Sequence, residues 1–100
     1  MRQLLIVLFS ISLLSCQTTP PPVEEYALAR AAIEAARVVQ APRHSPGHWH
    51  NAEESYRKAR YHYREREYRL ARDFFIKARV SAEKAENSAR FIRQKTGDIL

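Results

Sequence analysis

Three histidines close together in the sequence form the first group whose chemistry stands out. His44, His48 and His50 follow the spacing His-x₃-His-x-His. Imidazole nitrogens bind Zn²⁺, Cu²⁺ and Ni²⁺, so three of them in one loop could hold such an ion. However, no carboxylate lies between them, and Pro46 and Gly47 interrupt the spacing. We therefore predict an exposed polar loop without a bound cofactor, and we keep metal binding as the weaker alternative.

A run of basic residues forms the second candidate site, in a chain of net charge +6. Arginine can bind phosphate or carboxylate groups through two parallel hydrogen bonds, so the run could form a face for an anionic partner. A solvated helix surface with pairs such as Glu53–Arg57 and Glu54–Lys58 is the simpler explanation. The basic residues are Arg57, Lys58, Arg60, Arg64, Arg66, Arg69 and Arg72.

The sequence offers no convincing set of catalytic residues. Its single cysteine excludes a disulfide framework, and its two glycines exclude a glycine-rich phosphate loop. Beyond position 16, only 34 apolar residues remain, and 14 of these are alanine. A core built from so few large side chains cannot enclose a sizeable active site. We predict that the protein is not an enzyme.

The first sixteen residues have the pattern of an export signal. Arg2 provides a positive start, and an apolar run follows from Leu4 to Leu14. This run is shorter than the roughly 20 residues that a membrane-spanning helix needs. Its length matches the apolar region of a secretory signal peptide, which we predict over residues 1–15.

The end of this segment, Leu13-Leu14-Ser15-Cys16, resembles the lipobox of bacterial lipoproteins. The resemblance implies cleavage between Ser15 and Cys16 and attachment of palmitate-type acyl chains to Cys16. Acylation would also protect a lone thiol in an oxidising compartment, and more than one acyl chain gives stable anchoring. The alternative is an ordinary cleaved secretion signal with a chance cysteine. By the same resemblance, Gln17 instead of aspartate favours the outer membrane, facing the periplasm. Because the protein is expected to be exported, we predict that it does not bind nucleic acid.

Apolar side chains then recur every three or four residues, which is the spacing of one helix face. They predict three helices, at about residues 23–40, 46–64 and 67–96, within a helical domain of residues 23–97. Residues 16–22, with three consecutive prolines, form a stiff tether before it. The stripes are Tyr26, Ala29, Ile33, Ala36 beside Leu28, Ala32, Ala35, Val39; then Trp49, Ala52, Tyr56, Ala59, Tyr63; then Tyr68, Ala71, Phe75, Ala78, Ala82, Ala85, Ala89, Ile92.

Two boundaries between these helices need separate arguments. Ser45 can cap the second helix with Pro46 as its first residue, while Asn51 offers a later start. The apolar stripe changes phase by about 140° between Tyr63 and Tyr68, which favours a turn at residues 64–67. The absence of glycine, proline and asparagine there leaves a continuous helix as the alternative.

The order of these segments resembles a small helical domain of unknown function in bacterial lipoproteins, which sometimes precedes an OmpA-like peptidoglycan-binding domain. Arg66-Glu67 stands where that family usually has a Gly-Asp turn, and the family implies no catalytic residues. The stretch from Tyr68 to Ala78 also resembles one tetratricopeptide-repeat helix more weakly. The positions that resemble the domain of unknown function are Ala29, Ala32, Ile33, Pro46, Trp49, Ala52, Glu53, Ala59, Glu67, Tyr68, Ala71, Arg72, Ala78, Ala82, Glu83 and Ala85.

Together these observations predict an all-α protein, an antiparallel three-helix bundle with a long third helix. The coiled-coil-like third stripe leads us to expect that part of Ala82–Ile92 stays free to pair with another helix or a second copy. We predict a lipid-anchored envelope protein that serves as a structural or protein-interaction module with an envelope protein partner. The alternative is binding of lipopolysaccharide or peptidoglycan through the arginine-rich face.

Overall fold

The computed structural model describes residues 1–14 and 19–97 and is all-α over this part of the chain. Ser15 and Cys16, the predicted cleavage and lipidation positions, lie outside the described residues. Among the helices that are described, none has both the length and the apolar character needed to cross a membrane. The five helices are α1 (Arg2–Leu14), α2 (Val23–Val38), α3 (Ala41–His44), α4 (Pro46–Arg64) and α5 (Tyr68–Thr96).

Helix α5 is the element on which α2, α3 and α4 pack. Helices α2, α3 and α4 all contact it, whereas α2 and α4 contact each other only slightly. The molecule is elongated, with principal extents of 80 × 18 × 15 Å. Because α2 and α4 both pack on α5 but contact each other only slightly, an open groove lies between them.

The core consists of two clusters along α5. The tyrosine cluster joins the first half of α5 to the first half of α2 and the second half of α4; the tryptophan cluster joins the remaining halves. Helix α2 therefore runs parallel to α5, and α4 runs antiparallel to it. The tyrosine cluster contains Ala29, Ala59, Ala71, Phe75 and Ala78 with Tyr26, Tyr56, Tyr63 and Phe74 packed around them. The tryptophan cluster contains Ile33, Ala36, Val39, Ala41, Trp49, Ala52, Ala82, Ala85 and Ala89.

The second half of α5 is covered by its own chain. Ala82, Ala85 and Ala89 are completely buried in the tryptophan cluster. The expectation that this stretch stays free to pair is therefore wrong for these alanines. The physical reason is that the chain from Val39 to Trp49 folds over the end of α5 and covers the stripe.

The chain reverses direction at residues 65–67, between α4 and α5. The Glu67 N–H donates to the His62 carbonyl at 2.9 Å, and the Arg66 N–H donates to the Tyr63 carbonyl at 3.1 Å. Arg66 has φ 59°, in the left-handed region. A residue with a Cβ pays about 1–2 kcal/mol for this conformation, whereas glycine adopts it freely. Arg66 thus takes a conformation that suits glycine.

The connection between α2 and α4 contains a helical turn that the proline-rich sequence did not predict. Gln40 adopts φ 61°, and the single turn α3 follows immediately. Ser45 is the N-cap of α4, with Pro46 as its first residue, but no side-chain capping hydrogen bond forms there. Instead, the Ser45 carbonyl accepts a hydrogen bond from the Trp49 N–H at 3.0 Å. The earlier of the two predicted helix starts is the one observed.

Candidate functional site

A groove lies between α2 and α4 in the described structure. It has a volume of about 280 Å³. We call it the arginine groove and define it by its lining residues. These are Arg30, Ile33, Glu34 and Arg37 from α2, and Glu53, Tyr56, Arg57 and Arg60 from α4.

Both helices contribute to the arginine groove with the same spacing. Each supplies a first residue and then the residues three, four and seven positions later, at 30, 33, 34 and 37 on α2 and at 53, 56, 57 and 60 on α4. These positions share one helix face. Ile33 is buried and Tyr56 is half-buried, so they form the apolar base between charged walls.

The charges of the arginine groove do not cancel, because four guanidinium groups face two carboxylates. The Arg37 Nη1 lies 2.7 Å from the Glu34 Oε1, but both side chains are more than half exposed, so this pair contributes little stability. An anionic group that enters the groove would find arginines able to donate paired hydrogen bonds. The arrangement therefore suits the binding of carboxylate or phosphate groups.

Aromatic rings help to position the arginines. The Arg60 guanidinium lies 5.8 Å from the Tyr56 ring centroid, and the Arg37 guanidinium lies 5.6 Å from the Trp49 ring centroid. Such cation–π contacts hold a guanidinium without using its hydrogen-bond donors. Burial raises the pKa of the Tyr56 hydroxyl, and its hydrogen bond with Tyr26 raises the pKa further. Tyr56 therefore stays neutral near pH 7.

The structure separates the seven predicted basic residues onto different surfaces. Arg57 and Arg60 line the arginine groove. Lys58 faces another side, where its Nζ lies 3.2 Å from the Glu54 Oε1 and 5.8 Å from the Phe74 ring centroid. This confirms the predicted Glu54–Lys58 pair, and the hydrogen bond from Lys58 lowers the pKa of the Glu54 carboxyl.

The remaining four basic residues belong to the end of the domain at the α4–α5 turn. Arg72 bonds to Glu25 of α2, with 2.9 Å between the Arg72 Nη2 and the Glu25 Oε1. Arg64, Arg66 and Arg69 are exposed at or beside the turn. The seven residues do not form a single face because the chain reverses direction in the middle of the run.

Sequence reasoning missed the half of the groove that α2 provides. Arg30 and Arg37 lie seven residues apart, on a helix whose strongest sequence pattern is the alanine-rich stripe. The available signal was the repeated spacing of residues 30–37 and 53–60. Recognising its meaning required knowing that the two helices lie side by side on α5.

The histidines do not assemble into a metal site. Over residues 1–14 and 19–97, no group of three histidine, cysteine, aspartate or glutamate side chains is placed to hold a metal ion. His44 belongs to α3, while His48 and His50 lie exposed in the first turns of α4. The His50 Nε2 lies 3.8 Å from the Glu54 Oε2, an ordinary surface pair.

Comparison with known proteins gives a family match. The family model described as "Domain of unknown function (DUF4398)" matches residues 24–96, which include the whole arginine groove and the α4–α5 turn. No curated protein and no solved structure matches the chain. The match confirms the resemblance to a helical domain of unknown function. Since it covers well over half of the sequence, the chain belongs to the DUF4398 family.

Proposed function

We propose that this protein is a lipid-anchored module of the cell envelope that binds an acidic protein partner through the arginine groove. The observation that carries the proposal is the pairing of two helix faces with identical spacing, which bring four arginines around an apolar base. Such a groove supplies charge, hydrogen-bond donors and apolar contact in one place, and these are common features of protein-binding surfaces.

The anchor in this proposal rests on the sequence Leu13-Leu14-Ser15-Cys16. Signal peptidase would release residues 1–15, and acyl chains on Cys16 would hold the protein in the outer membrane, facing the periplasm. A proline-rich tether would then connect the lipid to α2. Stable attachment would come from the acyl chains, since each buried CH₂ contributes about 0.8 kcal/mol.

The proposed working form is an antiparallel three-helix bundle of α2, α4 and α5. The order of the two core clusters along the helices supports this arrangement. In the part of the chain that the structure describes, ten of the fourteen buried apolar residues are alanines, which let helices approach closely and leave little interior space. This tight interior favours a role in binding over a role in catalysis.

Reversing the charge of two arginines in the arginine groove tests whether a partner binds there. We expect the double variant Arg30→Glu/Arg57→Glu to lose at least about tenfold in partner capture, because charge-assisted hydrogen bonds are worth about 1.5–3 kcal/mol each. The measurement is photo-crosslinking in the native envelope from a probe at the exposed position Ala31, with crosslinked proteins identified by mass spectrometry.

The matched control is Arg43→Glu/Lys95→Glu, which changes the net charge equally at exposed positions outside the groove. Equal capture by both double variants would contradict the proposal. The same arginines could instead bind carboxylates of peptidoglycan or phosphates of lipopolysaccharide. That alternative predicts retention on isolated cell walls or lipopolysaccharide, weakened steeply by salt and lost in the groove variant, without a crosslinked protein.

A further inference from the structure

The tether meets the folded domain at the α4–α5 turn. Thr19 lines a surface depression together with residues 66–70. The Val23 N–H donates to the Pro21 carbonyl at 2.9 Å, and the Tyr26 N–H donates to the Pro22 carbonyl at 3.0 Å. Pro22 itself is buried. The last residues of the tether are therefore held against the domain, and they fix where the chain leaves it.

Chain length then limits how far the domain can stand from its anchor. Thr19 follows Cys16 by three residues, which span at most about 10 Å when fully extended. If Cys16 carries lipid, as the proposed function requires, the α4–α5 turn lies within about this distance of the phospholipid headgroups. The opposite end of α4 lies roughly 27 Å farther along the helix axis, at about 1.5 Å per residue over 18 residues.

The end of the domain near the tether carries side chains suited to a bilayer surface. Arg64, Arg66 and Arg69 are exposed, and among the described residues none of the three forms an ion pair. Exposed apolar side chains lie on the helix ends around them: Val23, Tyr61 and Leu70. Tyrosine is enriched where membranes meet water, and arginine binds phosphate in paired geometry.

Acidic residues also lie at this end, and one of them is paired with an arginine. The Glu25 carboxylate bonds to Arg72, and the Glu67 Oε1 lies 3.3 Å from the His62 Nδ1. Because histidine counts as neutral at pH 7, Glu24, Glu65 and Glu67 remain against the three arginines of the turn. Phosphate binding at this end therefore depends on the paired hydrogen bonds that guanidinium groups donate, and not on an excess of positive charge.

The backbone of Arg66 supplies an independent observation. Its φ of 59° is a conformation that glycine would adopt without steric cost. A strained residue at an exposed position is a reason to ask what its side chain does. Here an arginine occupies the turn and lines the same depression as Thr19 of the tether.

We propose that the α4–α5 turn is the membrane-facing end of the domain and that Arg64, Arg66 and Arg69 bind phosphate groups of anionic phospholipids. The long axes of α4 and α5 then point away from the bilayer surface. The arginine groove runs away from the membrane along α2 and α4, where a partner can reach it.

The test is a depth measurement on the full lipidated protein in vesicles of phosphatidylglycerol or phosphatidylcholine. A fluorophore is placed on a single introduced cysteine, at Glu65 in the turn or at Gly47 at the opposite end; the lipid on Cys16 blocks the native thiol. A Cβ at Gly47 would meet no atom within 4 Å, so this substitution is tolerated. A quencher attached to lipid headgroups reports contact with the bilayer surface.

On phosphatidylglycerol we expect several-fold stronger quenching at position 65 than at position 47, with a smaller difference on phosphatidylcholine. The triple variant Arg64→Glu/Arg66→Glu/Arg69→Glu is expected to lose the difference, whereas Arg43→Glu/Lys84→Glu/Lys95→Glu keeps it. Arg66→Gly relieves the backbone strain and removes one charge, so it is expected to stay folded and to quench less at position 65.

Equal quenching at the two positions, or no change between the two lipids, would overturn the inference. The intact mass of the same sample separates this failure from a failure of the proposed function. A lipidated protein with equal quenching overturns the orientation alone, whereas a protein without lipid on Cys16 overturns the anchor on which both rest.

Discussion

Replacing Phe75 with alanine is expected to destabilise the domain by about 3–5 kcal/mol, enough to unfold much of the population at 37 °C. Phe75 is the largest side chain in the core with no exposed surface. Its ring centroid lies 4.5 Å from that of Tyr26, 5.9 Å from that of Tyr56 and 6.4 Å from that of Tyr63. The other fully buried members of the tyrosine cluster are alanines, which cannot move to fill the cavity.

Urea unfolding of the purified protein, followed by circular dichroism at the helix band, measures this effect. Phe91→Ala is the matched control, because Phe91 is 60% exposed on the same helix and its loss should change the unfolding free energy by less than about 0.5 kcal/mol. If the two variants unfold at the same urea concentration, the tyrosine cluster is not the centre of the core.

Enlarging Ala78 to leucine has the second large expected effect, a loss of about 1–3 kcal/mol. Ala78 is completely buried on α5, in the cluster that joins it to both α2 and α4. The added atoms have nowhere to go unless the helices move apart, because small side chains set the close approach of the helices. The effect therefore depends on both helices packing against the same part of α5.

The same substitution at Ala31 is the control, since Ala31 is exposed on α2 and leucine suits a helix. Thermal unfolding of the two variants should differ by several degrees, with Ala78→Leu the lower. A leucine tolerated at position 78 as well as at position 31 would argue against the three-helix arrangement.

The sequence predicted the long helix well because one strong signal runs through it. The stripe from Tyr68 to Ile92 alternates steps of three and four without interruption, and α5 covers Tyr68–Thr96. The start of α4 also followed from local chemistry, since a proline at position 46 fits the first turn of a helix. In both places, interactions within a few residues determine the structure.

Features that depend on how helices meet were harder to predict. Periodicity identifies the buried face of each helix but does not say which helices are neighbours. For that reason, Arg30 and Arg37 were not linked to Arg57 and Arg60, although the spacing repeats. The covering of Ala82–Ala89 was missed for the same reason.

The turn shows where local rules mislead. Without glycine, proline or asparagine at residues 64–67, turn chemistry favours a continuous helix, and only the change of phase in the apolar stripe indicates a reversal. Burial of the aromatic cluster decides in favour of the reversal, at the cost of a left-handed arginine. Tertiary packing outweighs the local preference, because leaving Tyr56, Tyr63 and Phe75 exposed would cost more than one strained residue.

The intact mass of the protein isolated from its native envelope tests the central claim, a lipid anchor on Cys16, most directly. The account predicts a chain that begins at Cys16, lacks residues 1–15 and carries the added mass of acyl chains, which are lost when Cys16 is replaced by serine. A chain that retains Met1, or one whose Cys16 thiol is free to react, would contradict it.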